Sequence, residues 1–143
     1  MKKLMLASAA FFCHFLIMGQ DLKSNVVPDE KEHDPSLVGC WKGSEVNQQI
    51  KGVSKYWVSC RMADGTSTLL FIAIDKKGKV TQETENGRWW TENGKYYELH
   101  NYDGVIDTYI YEMTPEGVKF KSVELMGKMD SSYKFVDYKI EED

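Results

Sequence analysis

Residues 53–74 read VSKYWVSCRMADGTSTLLFIAI, two runs of β-type residues on either side of Asp64-Gly65. β-Branched and aromatic residues fill both runs, and Asp-Gly takes the positive-φ conformations that a tight hairpin requires. The same grammar extends in both directions. Upstream lies a run at residues 37–49. Downstream, residues 79–91 and 95–101 flank Asn93-Gly94, and further runs occupy 105–113, 118–125 and 131–140. Asp103-Gly104, Pro115-Glu116-Gly117 and Gly127 separate those last runs. No stretch carries the 3.6-residue apolar period of a three-turn helix.

Eight such runs joined mainly by tight turns form a meander in which each strand pairs with its sequence neighbours. Left open, the sheet has two exposed edges, and closing it into a barrel removes them. The sequence therefore predicts an all-β, eight-stranded antiparallel up-and-down barrel. A two-sheet sandwich is the alternative, but it needs longer crossing connections. Eight strands enclose a lumen that side chains fill or that holds one small ligand.

The flanks divide the chain. Lys2 and Lys3 precede residues 4–18, which carry no charge, and Gly19-Gln20-Asp21 follow. This is the order of a cleavable secretory leader over residues 1–20, and its apolar run is shorter than the roughly 20 residues of a membrane span. Phe11-Phe12 and His14-Phe15-Leu16-Ile17 around Cys13 are not the surroundings of a lipidated cysteine. The expected destination is the periplasm or the extracellular space, with no stable membrane insertion after leader cleavage. Residues 21–36, polar and without periodicity, read as a flexible N-terminal segment, with His33 solvated. Residues 37–143 form the barrel domain. Without Lys2 and Lys3, sixteen basic residues face twenty-two acidic ones, a net charge of −6. That balance argues against nucleic acid as a partner.

Gly39-Cys40-Trp41, just after Asp34-Pro35-Ser36-Leu37, resembles the opening motif of the lipocalin-like barrels. Arg61-Met62-Ala63-Asp64-Gly65-Thr66, then Phe71, then Glu85-Asn86-Gly87-Arg88-Trp89 look like small exported bacterial lipocalin-like domains of uncharacterised function. The resemblance covers most of residues 37–140. It implies that Gly39 and Trp41 form a structural motif closing the base of the barrel. It also implies that a basic residue of the last strand, Lys134 or Lys139, packs across the Trp, and that the lumen takes a small molecule. The later motifs of the superfamily and a C-terminal helix are not evident.

Cys40 and Cys60 are the cysteines outside the leader, and export permits a disulfide between them. A first hairpin centred on Ile50 sets them directly opposite each other, within bridging distance. A register slipped by one residue sends Cys60 to the other face and leaves both thiols free. The segment Gln49-Ile50-Lys51-Gly52 does not choose between them.

Turn chemistry assigns the faces further along. A two-residue Asp64-Gly65 turn would pair Ala63 with Thr66 and Arg61 with Thr68. Trp57, Ser59, Arg61, Thr68, Leu70 and Ile72 would then share one face, and Tyr56, Val58, Cys60, Met62, Leu69 and Phe71 the other. Asn93-Gly94 sets Trp89 against Glu98 and Trp90 against Tyr97, so Tyr96, Glu98 and His100 share a face. The looser turns at 76–78 and 115–117 leave open which face is the lumen. If the disulfide register holds and Trp41 points inward, Trp57, Arg61 and Glu98 line the lumen and Glu112 joins them. A buried arginine would take such a carboxylate as its partner, and the site would suit a polar or anionic ligand. The dense aromatics are ligand walls in that reading and ordinary strand filling in the other.

Catalytic signatures are missing: no Gly-x-Ser-x-Gly, no His-Glu-x-x-His, no phosphate loop and no dinucleotide fingerprint. Glu83 and Glu85 read as a solvated face. Neither a metal nor a cofactor is called for. The expectation is a non-enzymatic binding module holding a small polar or amphipathic ligand. The alternative is a protein-interaction, inhibitor or envelope-associated module with a packed lumen.

Overall fold

The computed structural model describes residues 31–141; the expected leader lies outside them. A short 3-10 turn at Pro35–Leu37 leads into nine strands. These are β1 (Gly39–Val46), β2 (Ser54–Arg61), β3 (Thr66–Ile74), β4 (Val80–Glu92), β5 (Lys95–His100), β6 (Ile106–Met113), β7 (Val118–Leu125), β8 (Lys128–Met129) and β9 (Lys134–Lys139). β1 to β7 pair in sequence order, and β9 lies between β7 and β1 and closes the barrel. β8 is a two-residue extension on the end of β7. All pairings are antiparallel, so the barrel has the predicted eight staves. No helix among the described residues is long and apolar enough to cross a membrane.

The first hairpin takes the centred register. Cys40 pairs with Cys60 and the two form a disulfide with a Cα–Cα distance of 4.0 Å. The Asn93-Gly94 turn also behaves as its residue types require, with φ of 51° and 75° and Glu92 paired with Lys95.

The Asp64-Gly65 hairpin departs from expectation. Gly65 N–H donates to the Met62 carbonyl at 3.0 Å and Met62 N–H to the Thr66 carbonyl at 2.9 Å, with Gly65 at φ 84°. This is a three-residue loop with its glycine in the left-handed region, a common alternative to the two-residue turn. Arg61 therefore pairs with Ser67, not Thr68. A one-residue shift flips a whole strand. Ser67, Leu69 and Phe71 join Trp57, Ser59 and Arg61, while Thr68, Leu70 and Ile72 face outward.

The apolar core fills one end of the barrel. Leu37, Trp41, Trp89, Tyr96, Val118 and Phe120 are almost fully buried there. Trp41 donates its indole N–H to the Leu37 carbonyl at 2.9 Å. Lys139, paired in register with Trp41, holds its Nζ 5.7 Å from the ring centre and so supplies the basic residue across the Trp.

Residues 31–36, the last part of the segment expected to be flexible, are strapped across this end. Thr91 N–H donates to the Glu32 carbonyl at 2.8 Å, and the Tyr111 hydroxyl donates to Asp34 at 2.8 Å. His33 packs edge-on against Trp89 at 5.0 Å instead of standing in solvent. The sequence is polar there because its contacts are hydrogen bonds and ring edges, which composition does not distinguish from solvation.

Candidate functional site

Above the apolar end lies a buried polar layer. Arg61 Nη2 donates to Asp137 Oδ2 at 2.6 Å, and Arg61 Nε to the Tyr96 hydroxyl at 3.1 Å. Asp137 Oδ1 accepts the Trp57 indole N–H at 2.8 Å. Both members of the ion pair are essentially removed from solvent, their side chains 3% and 0% exposed. A charge so deep needs a matched partner with its remaining valences satisfied. Two groups are not satisfied: Arg61 Nη1 and Ser59 Oγ are buried with no hydrogen-bond partner among the described residues.

A cavity of about 150 Å³ begins at this layer, and Ser59, Arg61, Trp57 and Asp137 are among its lining residues. Trp57, Phe71, Tyr109, Tyr133 and Phe135 supply aromatic walls between its polar residues. The Trp57 indole lies flat over Gly43, where any β-carbon would run into the ring. Glu98 also lines the cavity. Burial raises its carboxyl above the ordinary value, although Arg61 and His100 pull the other way.

The open end carries charge. His100 Nδ1 lies 2.5 Å from Glu85 Oε1 and its Nε2 lies 3.1 Å from Asp107 Oδ2. The bond to Asp107 is the main reason that the imidazole is pushed up to about 9, with Glu98 and Glu85 adding to it against desolvation. Both ring nitrogens are thereby engaged, and the ring is fixed as a cation between two carboxylates. Beyond it a mouth of about 350 Å³ shares Gln49, Leu69, Phe71, His100 and Asp107 with the cavity. Glu83, Glu85 and Asp103 also border the mouth. Close to the same end, Lys55 and Glu45 pair with each other at 3.4 Å, both nearly buried.

Of the residues singled out in the sequence, Trp57, Arg61 and Glu98 come together on the lumen wall. Glu112 does not. It sits on the outer face of β6, exposed and paired in register with Lys119, because Ile110 and Glu112 alternate with Tyr109 and Tyr111 along the strand. The carboxylate that answers Arg61 is Asp137, not Glu98. Glu85 is half-buried against His100 and so departs from the expected solvated face, whereas Glu83 is exposed at the mouth. Asp137 did leave a sign, since an aspartate inside a β-run is out of character. Ser59 left none.

Comparison of the chain with family models, with curated proteins and with solved structures finds no significant match.

Proposed function

We propose that this is an exported binding protein of lipocalin-like type, which takes a small polar or amphipathic ligand into the lumen of its barrel. The observation that carries this reading is the cavity together with the mouth it opens into, about 150 and 350 Å³, since the cavity alone is below the roughly 300 Å³ of a usual ligand site. It begins at Ser59 and Arg61, each with a buried polar atom that has no partner among the described residues, continues along aromatic side chains and opens into a wider mouth. A buried donor left unsatisfied costs about 1–3 kcal/mol, so an occupant that supplies an acceptor gains by it. Aromatic walls with a few convergent polar groups are the usual make-up of a ligand site. The leader-like N-terminus and the Cys40–Cys60 disulfide support export.

The test is a fragment titration followed by NMR, with the Trp57 indole N–H as reporter. Polar fragments should shift that signal together with those of Ser59, Tyr109 and Phe135. Shifts confined to the outer surface, for example at Ile110, Lys119 and Val136, would favour the protein-interaction alternative. No shift at any of these positions would end the lumen reading.

A further inference from the structure

We infer that the lumen selects a small organic ammonium with a hydrogen-bond acceptor at its far end. Its ammonium would meet Glu98 and the aromatic wall, and its acceptor would meet Arg61 Nη1 and Ser59 Oγ. The inference rests on the lumen-binding reading and assigns its ligand class.

Charge points to a cation. Cavity and mouth together are bordered by six carboxylates, on Glu83, Glu85, Glu98, Asp103, Asp107 and Asp137, against two cationic side chains, Arg61 and His100. Both cations are already matched: Arg61 by Asp137 at 2.6 Å, and His100 by Glu85 and Asp107. Glu98 lines the cavity with no hydrogen bond or close ion pair among the described residues, although the charges of Arg61 and His100 act on it. An acidic funnel with low-dielectric walls concentrates cations and repels anions. An anion would have to pass that funnel to reach an arginine whose charge is already neutralised.

The wall agrees. Trp57, Tyr109 and Phe135 present ring systems to the cavity, and aromatic faces attract ammonium groups. The floor adds the second half of the recognition. Ser59 is 4% and Arg61 2% exposed, both residues line the cavity, and Ser59 Oγ and Arg61 Nη1 are buried with no hydrogen-bond partner among the described residues. A fatty chain would leave both unsatisfied. Size sets the limit, because the cavity is only about 150 Å³.

The experiment is calorimetric titration of the whole chain with four probes of one carbon length: 4-aminobutan-1-ol, butylammonium, butanoate and butan-1-ol. The Trp57 indole signal is followed in parallel. Expected are 4-aminobutan-1-ol binding tightest, about tenfold tighter than butan-1-ol, and butanoate weakest. Glu98→Gln, a near-isosteric change, should remove the preference for amine over alcohol. Ser59→Ala should weaken 4-aminobutan-1-ol and leave butylammonium unchanged. Butanoate binding as well as the amines, or an amine preference that survives Glu98→Gln, would overturn the inference. The comparison of the four probes on the unaltered chain decides the matter even if a variant fails to fold. If butan-1-ol alone shifts the Trp57 signal, lumen binding stands and the ammonium assignment falls. If no probe shifts it, both fall.

Discussion

Arg61 at the end of β2 and Asp137 in β9 stand 76 residues apart in the chain and meet at 2.6 Å inside the barrel. β2 and β9 flank β1 on opposite sides, so this ion pair spans the seam where the last strand closes onto the first. The Trp57 indole and the Tyr96 hydroxyl complete the network and tie the pair to β2 and β5.

Removing one partner should cost more than removing both. Asp137→Leu strands a buried guanidinium, and loss of about 3–5 kcal/mol is expected. The double variant Arg61→Met with Asp137→Leu should recover a large part of that. Urea denaturation of Arg61→Met, Asp137→Leu and the double variant provides the cycle. A double variant as unstable as the sum of the singles would show that the two side chains do not act together.

The disulfide closes a loop between residues 20 apart. Its loss should lower stability by about 3 kcal/mol through the greater freedom of the unfolded chain. Thermal melting with and without reductant measures this, and the double variant Cys40→Ala with Cys60→Ala should melt at the reduced temperature under both conditions.

His100 makes stability depend on pH. Its folded-state pKa of about 9 lies above the ordinary 6.5, so its ion pairs contribute fully below pH 6.5 and are lost as pH rises through 9. Linkage for such a shift amounts to ~3 kcal/mol. Solvent at the mouth reduces it, and a fall of about 1–2 kcal/mol is expected between neutral pH and pH 10. Denaturation midpoints across that range should decline for the native chain and stay flatter for His100→Gln.

Gly43 is required by the ring that covers it. In Gly43→Ala the new methyl would occupy the place of the Trp57 indole, which must then move away from Asp137. Overpacking of this kind costs about 1–3 kcal/mol. Near-ultraviolet circular dichroism should lose intensity from Trp57, and the denaturation midpoint should fall. Unchanged spectra would mean that the wall is more compliant than its packing implies.

Much of the architecture is local and was legible in residue order. Alternation and β-branched content mark the strands, Asn93-Gly94 sets its own turn, and the even spacing of the turns makes sequence neighbours pair. The disulfide was legible as one of two registers, because its spacing follows from a hairpin centre. Three things were not local. The chain from Met62 to Thr66 can close as a two-residue or a three-residue turn, and packing of Leu69 and Phe71 into the lumen goes with the one that sends them inward. The partner of Arg61 lies on a strand brought near only by closure of the barrel, so Asp137 could not be distinguished from Glu98 along the sequence. The cavity depends on how ring systems from β2, β3, β6 and β9 meet across the lumen. Side-chain volumes on separate strands add up to a filled or an open interior only once curvature and register are set together, and that is a property of the closed barrel alone.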